Sequence, residues 1–416
     1  MTETPIQWTK NQFKSAAPDG STLEAMLPAG LPRKVRAFHR QLPGYRMSPL
    51  KALSNLAIQF GLGGIWVKDE SARLDLRSFK VLGGSYAIYR LIRRRLGMEG
   101  RDLTFADLME GTFREKLGDI TFAAATDGNH GRGVAWSAAQ MGFKSVIYVH
   151  KLTSKGRIQA IEQNGARVVV VDGNYDDAVR QVYQDAQEHG WEVVSDTSWE
   201  GYEDIPKWVM QGYTTMLSEV QEQLAAQGLS RPTHVFVQAG VGSLAAATIG
   251  FYADLFGAAG VRTCVVEPTQ AACLYRSAQS GDGLPHNVEG DLDTIMAGLA
   301  CGEPNPIAWE ILKNYADYFA ICPDYVAAMG MRVYGVPLRG DPAVISGESG
   351  AVTLGALRYI MCHESGEEFR RQLELGPDSQ VLLINSEGNT SPDDFRYVVW
   401  EGGIPVPEQY KMYSSR

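Results

Sequence analysis

Between residues 119 and 195, short apolar runs alternate with segments of helical periodicity. Ile120 to Thr126, Ser145 to His150, Arg167 to Val171 and Glu192 to Ser195 read as strands. Gly131 to Met141, Arg157 to Gln163 and Tyr175 to Glu188 read as the helices between them. Such alternation predicts parallel strands joined by right-handed crossovers. A second series begins with the strand His234 to Gln238, a helix through Phe256 and the strand Arg262 to Glu267. Much later, Val381 to Ser386 is almost wholly apolar, as central parallel strands are. The pattern therefore predicts an α/β protein with two open, mostly parallel sheets, flanking helices and a cleft between them. Residues 1–84 and 205–416 are expected to form the larger unit, and residues 85–204 a smaller, mobile one.

Ahead of these series the pattern is less regular. Residues 1–45 are polar and dotted with proline, which predicts an extended arm. Ser48-Pro49 looks like a cap and first-turn proline, opening a helix through Leu50, Leu53, Leu56, Ala57 and Phe60 that Gly61 ends. Ile65 to Lys68 is a short strand, and Asp69 to Arg77 a polar loop leading to Lys80. A helix then runs to Gly97, with Arg93-Arg94-Arg95 in its last turn, where cations complement the dipole.

Composition narrows the classes. A chain of 416 residues suggests two or three cores. A net charge of -9 argues against nucleic acid as the partner, since phosphate binding needs a basic face. The five cysteines are an odd number without CxxC spacing, so reduced thiols in a cytoplasmic protein are expected. The first residues lack a signal-peptide pattern, and the longest apolar region, Leu244 to Val261, is broken by Asp254; no membrane partner is expected. About 25 residues follow Asn389, too few for an independent regulatory fold.

Four stretches could carry chemistry. Lys80 sits between Ser78-Phe79 and the paired glycines Gly83-Gly84, and glycines early in a helix cost about 1 kcal/mol each relative to alanine, so something requires close backbone approach. Most lysines are solvated surface charges, but a partly desolvated one can form a Schiff base. Asp127-Gly128-Asn129-His130-Gly131 follows a strand and opens a helix, so its N–H groups suit a carboxylate; an ordinary capped turn would look the same. Gly240-Val241-Gly242-Ser243-Leu244-Ala245 fits a phosphate cradle. It equally fits a dinucleotide fingerprint, with Glu267 where a ribose-binding acid would lie. Ser386-Glu387-Gly388-Asn389 ends the last apolar strand, where open α/β sheets bind ligands; the bland reading is a strand-ending turn. No second His or Cys at ligand spacing suggests a metal.

Together, from Ser48 to Asn389, these stretches resemble the fold type II pyridoxal-phosphate enzymes, which include threonine and serine dehydratases and cysteine synthases. The resemblance implies a tryptophan synthase β-like fold, pyridoxal 5′-phosphate as cofactor, a small amino-acid substrate and a homodimer. It makes Lys80 the Schiff-base lysine, next to Phe79. It places Asn129 at the cofactor's 3-hydroxyl and Thr126, Asp127, Gly128, Asn129 and His130 around the substrate carboxylate. Gly240, Val241, Gly242, Ser243 and Leu244 would hold the phosphate, and Ser386 the ring nitrogen. Within the family, the stretches 125–131, 196–206 and 294–304 are most similar to ammonia-lyases acting on diamino acids.

Threonine dehydratases carry Ser or Ala where this chain has Asp127. Two like charges about 4 Å apart cost roughly 4 kcal/mol at an effective dielectric near 20. Asp127 is thus favourable beside a substrate carboxylate only if the substrate brings another cation or the aspartate exchanges a proton. A 2,3-diamino acid brings that cation, with Asp127 and Asp196 as its partners. The resemblance further implies use of both D and L isomers, with Lys80 the base on one face and Asp127 on the other. A serine or threonine dehydratase, a β-replacement enzyme, a catalytically silent binding protein and an NAD-dependent oxidoreductase remain the alternatives.

Overall fold

The computed structural model describes residues 4–15, 18, 20–126, 128–151 and 153–412. In chain order its strands are β1 (Gln7–Lys10), β2 (Leu50–Ala52), β3 (Gly64–Asp69), β4 (Thr121–Thr126), β5 (Lys144–His150), β6 (Arg167–Val171), β7 (Glu192–Val193), β8 (His234–Gln238), β9 (Arg262–Pro268), β10 (Tyr318–Cys322) and β11 (Gln380–Asn385). Seven form one sheet in the order β1-β10-β9-β8-β11-β3-β2, and four form a second in the order β6-β5-β4-β7. Every pairing is parallel except the two edges, where β1 meets β10 and β2 meets β3 antiparallel. The predicted α/β class with two mostly parallel sheets is therefore what the chain adopts. β11 runs between β8 and β3 with Val381 to Ile384 wholly buried, as its apolar run predicts.

The N-terminal expectations need correction. Residues 1–45 are not simply an extended arm: Gln7–Lys10 adds an edge strand, and Ser21–Met26 and Leu31–His39 are helices. Ser48 does not cap a helix. Its hydroxyl donates to Glu70 and accepts from Arg73 Nη2 at 2.8 Å, while its carbonyl accepts from Lys68 Nζ at 2.8 Å. The chain pairs as β2 before a shorter helix, Ser54–Phe60, begins. The loop before Lys80 is not freely polar either, because Glu70 and Arg73 are fully buried in a 3-10 turn. At the end of that turn and just after it, Leu74, Asp75 and Arg77 all take left-handed φ, at 48°, 59° and 56°.

The paired glycines after Lys80 have a packing explanation. A Cβ on Gly83 would lie 2.6 Å from Tyr213 Cε1, and one on Gly212 2.3 Å from the Leu82 carbonyl oxygen. A Cβ on Gly133 would reach 2.9 Å from Val81 Cα. The helix Lys80–Arg95 is thus pressed between the helices Asp204–Ala226 and Asn129–Gln140, and close approach of backbones fixes where Lys80 begins. No helix of the described residues is long and apolar enough to cross a membrane.

Candidate active site

The carboxyl ends of β3, β4, β8 and β11 lead into one cavity of about 660 Å³. Lys80 is the first residue of its helix and lines this cavity. The segment before it is tied to the end of β11, for Phe79 N–H donates to the Ser386 carbonyl at 3.1 Å and Ser78 bridges Glu387. Phe79 itself is buried, edge-on to Tyr213 at 4.7 Å between ring centroids. The Lys80 ammonium forms an ion pair with Asp196, whose other oxygen accepts from Tyr175 Oη at 3.2 Å. Burial alone would raise the Asp196 pKa. The Lys80 charge, the nearby His130 and the two hydrogen bonds outweigh it and hold the carboxyl well below its usual range.

On the four-stranded sheet, Thr126 ends β4 and its Oγ1 accepts from the Gly128 and Gly131 N–H groups, at 2.8 and 3.0 Å. Thr126 therefore braces the loop from beneath rather than lining the cavity. Gly128, at φ 147°, begins the turn into the next helix, and Arg157 Cδ lies 3.1 Å from where its Cβ would be. Asn129 and His130 line the cavity. Asn129 Nδ2 donates to Glu387, the acid beside Ser386, which draws that carboxylate across the cleft. His130 Nε2 donates to the Val194 carbonyl at 2.7 Å, and its Nδ1 is buried with no partner among the described residues. Asp127 lies outside the described residues.

On the seven-stranded sheet, Gly240, Val241, Gly242, Ser243 and Leu244 form the opposite wall. A Cβ on Gly240 would sit 3.0 Å from Cys301 Sγ, and Gly242 has φ 103°, so both positions need glycine to turn the chain into the helix Ser243–Phe256. The N–H groups at that helix start have no helical acceptors and border the cavity, which suits an anion such as a phosphate. The Ser243 hydroxyl is already committed: it donates to the Asp196 carbonyl at 2.5 Å and accepts from Asn305 Nδ2 at 3.0 Å. Ser243 thus joins the cradle to the carboxylate facing Lys80. Ser386 is buried at the end of β11, its Oγ accepting from Gln238 Nε2 at 2.8 Å.

The residues present fit pyridoxal phosphate. An amine in a sheltered cavity, a glycine turn that a Cβ would close and a buried hydroxyl converge there. The fingerprint's other reading fails, because both Glu267 oxygens accept backbone N–H groups, from Leu274 at 2.9 Å and Tyr275 at 2.7 Å. Burial, only partly offset by those bonds, raises the Glu267 pKa to about 8. It caps a buried helix start, is 0% exposed and does not line the cavity, so no ribose reaches it. No cluster of metal-binding side chains is found among the described residues.

A lysine, a phosphate cradle and a hydroxyl at the strand ends of a two-sheet α/β fold define an enzyme working through an aldehyde cofactor. Residues 42–387 match the family described as pyridoxal-phosphate dependent enzyme, and the chain belongs to that family. It is 50% identical over 367 residues to diaminopropionate ammonia-lyase of Escherichia coli (strain K12), covering 88% of this chain and 90% of that one. Its fold is similar to the crystal structure of the Escherichia coli enzyme in complex with D-serine, with a TM-score of 0.89 and 45% identity across 97% of this chain and 98% of that one. A second structure of that enzyme, in complex with an aminoacrylate-PLP azomethine reaction intermediate, gives a TM-score of 0.87 and 45% identity across 96% and 98%.

The sequence reading missed Gln238, Tyr175, Asn305 and Arg157. Asn305-Pro306 carried a signal, a cap followed by a first-turn proline, and Asn305 Oδ1 does accept from Ile307 N–H at 3.0 Å. The others are single polar residues whose partners lie far away in the chain.

Proposed function

We infer that this protein catalyses the pyridoxal-phosphate-dependent α,β-elimination of ammonia from D- and L-2,3-diaminopropionate, giving pyruvate and two ammonia with uptake of one water. The observation that carries the reading is Asp196, a buried carboxylate held ionised in the cavity against Lys80. Once Lys80 is committed elsewhere, that carboxylate has an opening for a cation, which a β-ammonium fills and a serine hydroxyl does not.

When bound, pyridoxal phosphate supplies an aldehyde for the substrate's α-amine and a ring that spreads the charge left by the departing α-proton. Lys80 Nζ takes the α-proton of the L substrate and Asp127 that of the D substrate. Asp196 orients the Lys80 ammonium and the β-ammonium, and the β-nitrogen, which already carries its third proton, leaves as ammonia. Asn129 and His130, with the N–H groups opening their helix, hold the substrate carboxylate, and Asn129 also reaches the cofactor's 3-hydroxyl. Gly240 to Leu244 hold the phosphate, and Ser386 donates to the ring nitrogen.

The test is pyruvate and ammonia release from D- and L-diaminopropionate beside D- and L-serine. Two ammonia per pyruvate from both diamino isomers, faster than from either serine, is expected; faster turnover of serine would overturn the reading. A D-serine dehydratase is the second reading, favoured by the D-serine complex of the Escherichia coli relative. We also propose that residues 85–204 move as a unit on substrate binding. A homodimer in the cytoplasm fits the five free cysteines and the apolar surface at Ile58, Val336 and Trp400, 75%, 76% and 73% exposed. Sedimentation equilibrium tests the dimer.

A further inference from the structure

Gln238 ends β8, is 1% exposed and lines the cavity. Its Nε2 lies 3.0 Å from the Ile384 carbonyl oxygen and 2.8 Å from Ser386 Oγ. A backbone carbonyl only accepts, so the carboxamide must turn its nitrogen, not its oxygen, toward Ile384. The neighbouring strand thus fixes the orientation of the side chain. With one amide hydrogen on Ile384, the other falls on Ser386, whose oxygen is the acceptor.

A hydroxyl whose oxygen accepts keeps its own hydrogen for a different partner. No protein acceptor takes the Ser386 hydrogen among the described residues, and Ser386 borders the cavity. Glu387, the adjacent acid, is turned toward Asn129 and Thr390 Oγ1. The arrangement has a cost in Gln238 itself, whose Oε1 is buried with no partner among the described residues. An apolar side chain would fill that strand end without leaving a polar atom unpaired, so packing alone does not explain an amide there.

We propose that Gln238 is a positioning residue that makes Ser386 an obligate hydrogen-bond donor toward the ring nitrogen of bound pyridoxal phosphate, and so keeps that nitrogen unprotonated. The proposal rests on the cofactor reading above. It assigns Gln238 a role in reaction choice: an unprotonated ring withdraws electrons less strongly, which favours loss of a β-leaving group over transfer of the α-proton to the cofactor.

The test uses holoenzyme reconstituted with pyridoxal phosphate carrying ¹⁵N in the ring. The wild-type resonance is expected in the range of an unprotonated pyridine. In Gln238→Glu a carboxylate oxygen accepts the Ser386 hydrogen, leaving a lone pair toward the ring, and the resonance moves to the pyridinium range. Gln238→Met keeps the volume but removes the donor. It is expected to bind the cofactor about tenfold more weakly and to lose more activity to transamination per turnover. Should Gln238→Glu fail to fold, the Met variant's affinity and transamination ratio decide alone. A pyridinium resonance in the wild type, or wild-type resonance and affinity in the folded variants, overturns the proposal. A wild type with no Lys80-dependent cofactor binding instead removes the cofactor reading beneath it.

Discussion

Lys68 and Lys80 each end against a buried carboxylate, yet only one of them faces a cavity. Lys68 Nζ is 2.7 Å from Glu219 Oε2, and both side chains are 0% exposed. Arg73 reaches the same oxygen at 2.6 Å and Glu70 Oε2 at 2.8 Å, so two cations meet two anions in a closed group. Ser48 and Gln223 take further polar contacts there. The Lys80 and Asp196 side chains are 18% and 4% exposed, and the pair opens onto the cleft. Burial of charge therefore does not mark a site in this molecule. The mark is a pair that opens onto the cleft, where a ligand can reach it.

Removing each lysine in turn separates the two ion pairs most strongly. Lys80→Ala is expected to cut kcat/KM on diaminopropionate by at least about 10⁴-fold, roughly 5 kcal/mol, while the urea midpoint falls less than on loss of Lys68, because Asp196 keeps Tyr175 and borders the cleft. Lys68→Met leaves Glu219 and Glu70 with one cation between them and should cost about 3–5 kcal/mol of stability, with near-normal kcat in the folded fraction. The reverse outcome, a stable inactive Lys68 variant, would make the closed group part of the chemistry.

A smaller effect separates Asp196 from Glu219. Asp196→Asn keeps the shape but removes the charge and one of the two acceptors that Lys80 and Tyr175 use, and a loss of about 10²-fold in kcat on diaminopropionate is expected. On D-serine, which lacks the second amine, the loss should be several-fold smaller. Equal losses on both substrates would assign Asp196 to Lys80 alone. Asp127→Asn is expected to lower turnover of D-diaminopropionate about tenfold more than that of the L isomer. Stopped-flow measurement of α-proton release with each isomer checks it, and equal losses would reject a base on each face.

Much of the fold could be read from periodicity where each element has one clear environment. β4 to β6 and the helices between them alternate cleanly, and the structure places them within a few residues of expectation. The helix Asp204–Ala226 gave no such signal: it is buried nearly all round through Tyr213 and Leu217 and lacks the polar face that betrays a surface helix. Ser48-Pro49 misled because a capping pair and a strand-leading pair share one composition, and only the buried partners Glu70 and Arg73 tell them apart. Within the site, residues in turns could be read because turn chemistry is local. Gln238 and Ser386 are 148 positions apart, and nothing short of the sheet order brings them together. The paired glycines were informative for a reason other than the one they suggested, since they bring three backbones together rather than admitting a ligand.

The smallest predicted effect is a slope of stability with pH, and it tests whether the closed group reaches the lysine helix. His39 is fully buried, with Nε2 donating to the Leu82 carbonyl at 3.0 Å and Nδ1 2.6 Å from Thr215 Oγ1. Burial first, and then the Arg73 charge, lower its pKa from 6.5 to about 3. The folded protein therefore holds His39 neutral where the unfolded chain is protonated. This stability is fully present above about pH 6.5 and is lost as pH falls from there toward 3. Asp196 and Glu219 are both lowered, so their contribution is full at neutral pH and is lost only as pH falls into and through the ordinary carboxylate range at about 4, below the histidine window. His234 is also lowered, chiefly by burial, and adds a slope of the same sign. Glu267, Glu348 and Asp176, raised chiefly by burial to about 8, 7 and 6, slope the other way over the same window. Urea unfolding at about pH 7.5, 6 and 5 therefore reads the histidine as the difference between the wild type and His39→Gln, at most about 1.4 kcal/mol per pH unit for the one proton. On acidification His39→Gln should lose less stability, or gain more, than the wild type. An unchanged slope would place the acid sensitivity outside the contact between Arg73, His39 and the helix that begins at Lys80.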